Sequence, residues 1–322
     1  MRKVAIGVLF FLIIFILGNC IESMRLISDY FAHSSSAFNI PDLDTGFIPQ
    51  GLAYDHGTEK LFLSGYMDNG IASPIYVADI ASSSFERKIL LMRNNGERFN
   101  GHSGGLSIFE EKVYLAGSTE ACLYFFEDDA LINDSTAIEL SGRVDLRCDA
   151  EYIRASFAGA DESMLYIGEF HNEPFFRTSK KHLVEIDDKK QQAYLLGVEF
   201  KNEYTLPKRV YSIQDNIQGV CFCSGYLFLS QSRGFLPGAI LAYNMSELEQ
   251  NRSVNVLGTN TPLFILDEEK ACKTTVIPPM PEGITIVDKN IYIVYEAAAR
   301  RYKIGKFIGL DCIYKTPIDY ML

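Results

Sequence analysis

Several features are missing from this chain, and each absence narrows what it does. Helical periodicity does not persist over any length comparable to the strand signals, so a helical bundle is excluded. Long basic runs are also missing. The 30 Lys and Arg are outnumbered by 41 Asp and Glu, for a formal net charge of -11. No electrostatic grip on nucleic acid is expected, nor on an anionic membrane. The basic pairs Lys180-Lys181, Lys189-Lys190, Lys208-Arg209 and Arg300-Arg301 read as solvated surface. A nucleophile elbow, a phosphate-binding glycine loop and a His-Glu-x-x-His zinc motif are all absent, so no reaction class is announced by motif. The seven cysteines (Cys20, Cys122, Cys148, Cys221, Cys223, Cys272 and Cys312) are an odd number without the spacing of a disulfide scaffold or a metal site. Most read as small buried hydrophobes.

The N-terminus differs in kind. Arg2-Lys3 precedes an apolar run from Val4 to Gly18, the pattern of a secretory signal. No small-x-small cleavage site follows, and the run can be extended to Ile21, so residues 1–21 read as a signal peptide or an uncleaved anchor. Leu17-Gly18-Asn19-Cys20 resembles a lipobox, with Asn19 where a small residue is usual. Residues 22–36 read as a linker or short helix and 37–322 as the folded body. The body is expected outside the cytoplasm, membrane-anchored or secreted, touching the membrane only through the N-terminal segment.

One short signal recurs five times: Leu61-Phe62-Leu63, Val113-Tyr114-Leu115, Leu165-Tyr166-Ile167, Leu227-Phe228-Leu229 and Ile291-Tyr292-Ile293. The central aromatics stand 52, 52, 62 and 64 residues apart. A period of that size, holding about four short strands, is the size of one propeller blade. The expected fold is an all-β, five-bladed β-propeller; a degenerate sixth unit hidden between Asn244 and Lys273 is the alternative. Beyond the triplets, the pattern predicts strands over 136–140 in the second unit, 182–187 and 193–200 in the third, 274–277 in the fourth, and 303–308 and 312–314 in the fifth. Ala37-Phe38-Asn39-Ile40 is expected to supply the last outer strand and close the ring.

In such a ring the innermost strand of each blade begins, and the second ends, on one face. Polar residues concentrate at those two places. Gln50, Gln218 and Glu282 each precede a Gly at the start of an inner strand, and His102 lies in Gly101-His102-Ser103-Gly104-Gly105. Glu169, His171, Arg233 and Glu296 follow second strands. These eight are the candidate ligand-binding residues. A ring scaffold by itself needs Gly where inner strands crowd and polar groups along a wet channel. His102, Glu169, His171, Arg233, Glu282 and Glu296 instead break the repeat in chemically different ways, as a site would. Paired carboxylates suit acid–base chemistry on a glycoside, and His102 or His171 suits a general base. A Glu, Gln and His cluster also suits a divalent cation such as Ca²⁺.

The Pro-Gln-Gly-Leu opening, the Gly-His-Ser-Gly-Gly step, Pro278 to Ile284 and Tyr295-Glu296-Ala297-Ala298-Ala299 together resemble exported bacterial β-propeller proteins. The resemblance spans about residues 45–305. It implies a propeller and an extracytoplasmic place, and no particular reaction. A fainter similarity is to lactonase-type propellers, whose metal-binding Glu near an inner strand is matched by Glu282 alone. Two functions therefore stand open: a propeller that binds a small molecule or a protein at the channel face, or a hydrolase or lyase using that same face, with or without a divalent cation.

Overall fold

The computed structural model of the protein describes residues 21–322 except 118–119, 150, 187–188 and 202–203. The apolar run 4–18 and Cys20, on which the signal or anchor reading rests, lie outside the described residues. Each aromatic triplet is the middle of a blade's second strand, and it explains the ring. Neighbouring residues of a strand point to opposite faces. Thus Phe62 enters the core between blades 1 and 2, while Leu61 and Leu63 enter the core between blades 5 and 1. Tyr114, Tyr166, Phe228 and Tyr292 likewise face the next blade, and their aliphatic neighbours face the previous one. Every blade is therefore apolar on both faces, and five inter-blade cores form, one at each junction. Burying such a Phe or Tyr is worth about 1.5–3 kcal/mol.

Blade 1 consists of Phe47–Asp55, Lys60–Met67, Pro74–Asp79 and Ser84–Met92. Blade 2 consists of Leu106–Phe109, Lys112–Ala116, Cys122–Glu127 and Gly142–Asp145. Blade 3 starts with Ala155–Ala160, Leu165–Glu169, Ala193–Lys201 and Tyr204–Ile213, and blade 4 comprises Ile217–Cys223, Tyr226–Gln231, Gly238–Asn244 and Lys273–Ile277. Blade 5 holds Pro281–Val287, Asn290–Tyr295 and Cys312–Pro317, completed by Ser35–Asn39 from the other end of the chain. The ring closes as its ends suggested, with Phe38 buried between blades 5 and 1.

Four expectations need correction. The strand in 136–140, Ala137–Glu139, lies parallel on the outer edge of blade 1, because Ile138 fills the core between blades 1 and 2. Blade 2 takes Gly142–Asp145 instead. In blade 3 the third position belongs to Ala193–Lys201, whose Leu195, Leu196 and Val198 are wholly buried; Val184–Ile186 forms only a small hairpin with Lys189–Gln191. Lys303–Ile308 is a helix that ends on Gly309 at φ 70°, where a residue without Cβ is at ease. The insertion holds no sixth blade. Its hairpin, Arg252–Val256 and Thr259–Leu266, extends blade 3 to six strands and buries Val256, Leu263 and Ile265 between blades 2 and 3.

Residues 21–33 are helical and pack against the junction of blades 4 and 5. Tyr30 is fully buried there, and the Tyr295 hydroxyl donates to its oxygen at 2.9 Å. Phe31 meets Tyr314 edge-on, and His33 stacks on Tyr320 with ring centres 4.2 Å apart. Among the described residues no helix is long and apolar enough to cross a membrane. Tyr30→Phe should lower stability by about 1 kcal/mol, the net worth of a buried hydrogen bond. Urea denaturation of the two proteins reads that difference directly.

Candidate functional site at the channel mouth

Hydrogen-bond register assembles the site. In four blades the inner strand slips against its partner at the same place: between Pro49 and Gly51, Ala155 and Phe157, Ile217 and Gly219, and across Pro281 to Ile284. Such a bulge re-aims a side chain. The residues at the slip are Gln50, Ser156, Gln218 and Glu282. An acid therefore stands at one position that the repeat otherwise fills with neutral groups. Glu282 is 2% exposed, and its Oε1 accepts from Gln218 Nε2, on the neighbouring blade, at 3.2 Å.

Glu296 joins it from the turn after the second strand of blade 5. Its Oε1 accepts from the Tyr302 hydroxyl at 3.2 Å. Tyr66 holds the same register position in blade 1 that Glu296 holds in blade 5, since Gly65 pairs with Pro49 as Tyr295 pairs with Pro281. The Tyr66 ring lies 4.4 Å from the ring of His102. The electrostatics bind these groups into a unit. Burial, then the charge of Glu296, drives the Glu282 carboxyl well above the usual range against the opposing Gln218 bond. Burial also raises Glu296, opposed by Tyr302, Arg301 and Tyr66. His102 is pushed down to about 4 by burial, and Tyr302 up to about 12 by burial and then Glu296. Tyr66 is raised for the same two reasons. At neutral pH the mouth thus holds a neutral imidazole, two intact phenols and carboxyls biased toward their protonated form.

The other candidates go elsewhere. Gln50 is buried with its amide donating to the Pro49 carbonyl at 2.9 Å. Glu169 turns into blade 3, where it accepts from Arg154 N and Tyr194 N and meets His182 Nδ1 at 2.7 Å. His171 is buried against Thr178, whose backbone N–H and hydroxyl lie 3.2 and 3.0 Å from its Nδ1. Arg233 donates from two nitrogens to Gln231 Oε1, and Gln231 in turn donates to the Asp215 carbonyl. Of the eight, Gln218, Glu282 and Glu296 form one connected group, with His102 beside it through Tyr66.

Sequence reasoning passed over Tyr66 and Tyr302. Tyr66 was within reach, because it stands near the end of a second strand, at the register position that Glu296 holds in blade 5. Tyr302 lies in a connection that the repeat does not measure. A cavity of about 900 Å³ opens at the opposite end of the channel, lined by Ala53, Ser107, Gly159, Cys221 and Thr285 among others. None of the eight candidates lines it, and Asp161 on its rim is committed to Tyr166, Ser163 and Met164. This cavity and the Glu282 cluster are thus at opposite mouths, and convergent polar groups mark the site better than volume does. Among the described residues no three His, Cys, Asp or Glu side chains group so as to hold a metal ion.

No family model matches the sequence, and no curated protein matches it. Solved structures do resemble the fold. Glutaminyl cyclase of Myxococcus xanthus is 10% identical with a TM-score of 0.46, covering 88% of this chain and 94% of that one. A gluconolactonase of Xanthomonas campestris is 9% identical with a TM-score of 0.43, covering 88% of each chain. A chain of a nidogen/laminin complex is 12% identical with a TM-score of 0.41, covering 78% of this chain and 73% of that one. Likeness at this level carries no argument about chemistry, which rests on the side chains described above. The fold defines the class: the protein is a five-bladed β-propeller.

Proposed function

We propose that the protein binds a small polar molecule at this channel mouth, on an extracytoplasmic body held or exported through its N-terminal segment. The observation that carries the proposal is the buried Glu282 carboxyl, bonded to Gln218 and crowded by Glu296. Nothing in the ring requires an acid there, because Gln50, Ser156 and Gln218 occupy the equivalent places. A carboxyl retained in so costly a position is the mark of a site. A second reading, an acid–base hydrolase or lyase, is favoured by the same raised acid, which burial biases toward its proton-donating form, and by the unprotonated His102 against Tyr66.

Stability against pH tests the premise. The folded-state pKa of Glu282 lies above its unfolded value of about 4.3. Above that pH the unfolded chain releases a proton that the fold retains, so stability is lost as pH rises toward the folded value. Glu282→Gln removes the loss. The variant should melt higher than the parent at pH 8 and equally at pH 4, while small-molecule hits from a thermal-shift screen disappear. A lower melting point at pH 8, or hits that survive in both Glu282→Gln and Glu296→Gln, would overturn the proposal. Any turnover found in a hydrolase screen should vanish in Glu282→Gln if the enzyme reading holds.

A further inference from the structure

The mouth that holds Glu282 also carries exposed apolar groups. All second strands end on this face, and their connections to the third strands surround it. Of the ten large hydrophobics exposed among the described residues, seven sit in these connections and the other three lie in the terminal segments, at Ile21, Met24 and Leu322. Phe175 and Phe176 project from blade 3, Phe235 and Leu236 from blade 4, and Phe307, at 87% exposed, from blade 5.

Charge divides the same way. In blades 3 to 5 these connections (170–192, 232–237 and 296–311) hold ten Lys and Arg against six Asp and Glu, in a chain of net charge -11, whereas those of blades 1 and 2 (68–73 and 117–121) hold only Asp68 and Glu120. The hairpin turns at the opposite mouth (56–59, 110–111, 161–164, 224–225 and 288–289) hold six Asp and Glu against one Lys. The pairs Lys180-Lys181 and Arg300-Arg301, which looked like ordinary solvated surface in the sequence, fall on the apolar face. The cationic arc ends on the blade 1 side, where Asp68 and Asp44 meet Arg300 and Lys306 at 3.7 and 3.3 Å.

We propose that this face docks on an anionic lipid bilayer, with Phe175, Phe176, Phe235, Leu236 and Phe307 entering the headgroup region and the acidic mouth turned to solvent. Aromatic tips flanked by Lys and Arg are the composition of an interfacial binder. The tips stand on three separate connections and present points, which suits a yielding surface. Contact with the membrane then extends beyond the N-terminal segment, to which the sequence had confined it. This contact does not depend on what occupies the Glu282 site.

The chain contains no tryptophan, so single reporters have no background. Full-length Phe235→Trp and Phe307→Trp proteins, mixed with vesicles of phosphatidylcholine and one quarter phosphatidylserine carrying brominated acyl chains, should be quenched several-fold more than His56→Trp, a reporter at the exposed turn of the opposite mouth. Changing Arg177, Lys180 and Lys181 to Glu should cut the quenching of Phe307→Trp, because each basic residue near such a surface contributes about fivefold in affinity. Equal quenching of all three reporters, or none at positions 235 and 307, would overturn the proposal. So would a concentration-dependent blue shift of Phe307→Trp without lipid, which would assign the face to a second copy of the chain.

Discussion

Gly105→Ala is expected to cost about 3 kcal/mol or more, or to prevent the ring from closing. A Cβ added at Gly105 falls on the backbone of Phe157 and Ala158 in blade 3. Backbone cannot rotate aside as a flexible side chain can. The strand cannot retreat either, since Gly105 N donates to the Ser156 carbonyl at 3.0 Å and its own carbonyl accepts from Ala116 N at 2.8 Å. Gly51, Gly219 and Gly283 stand equally close to the backbone of the next blade. Blade 3 reverses the arrangement, with Phe157 at the equivalent place and Gly168 opposite it, where a Cβ would meet the Phe157 ring. Gly→Ala normally stabilises slightly by restricting the unfolded chain, so the sign itself is informative. Gly57→Ala is the control: its Cβ meets nothing closer than Asp55 Oδ1 at 3.4 Å, and a change within about 0.5 kcal/mol is expected. Urea denaturation of both variants decides the matter. A Gly105→Ala protein within 1 kcal/mol of the parent would contradict backbone crowding as the reason for Gly there.

The same ring shows which features were legible in the chain and which were not. The aromatic triplets could be read because each is a local pattern answering a local demand, a strand buried on both faces. The closing strand was legible for a related reason: blade 5 lacked an outer strand, and the chain carried an unassigned one at its start. The helix Lys303–Ile308 was not, because six residues are too few to display a helical period; it packs against the turn Glu296–Ala298. At the site, the repeat placed Gln218, Glu282 and Glu296 correctly at strand ends, since register is a property of the strands themselves. It could not foresee that Glu169, also at a strand end, would turn away. That outcome depends on His182, which arrives through a long connection whose path no repeat records.

Glu169 supplies the other large expected effect. Its carboxylate is wholly buried and serves three partners: Oε1 accepts from Arg154 N at 3.2 Å, while Oε2 accepts from Tyr194 N at 3.1 Å and lies 2.7 Å from His182 Nδ1. His182 is itself fully buried, stacked on Tyr194 at 4.4 Å, with Nε2 3.7 Å from Glu151 Oε1. Glu151 in turn accepts from Leu257 N at 3.2 Å in the hairpin added to blade 3. The group therefore ties the start of the inner strand, the third strand, the 170–192 connection and the outer hairpin together. Glu169→Ala leaves two backbone N–H groups and a histidine nitrogen without their acceptor, and the loss should be about 3–5 kcal/mol. Glu169→Gln should cost less. Its amide oxygen still serves Tyr194 and His182, but its NH₂ then opposes the Arg154 N–H, so one conflict remains where Ala leaves three vacancies. A structural tie and a ligand contact differ in one measurable respect. Folded Glu169→Gln should retain every small-molecule hit that depends on Glu282, whereas a Glu169 that faced the ligand would lose those hits while keeping most of its stability.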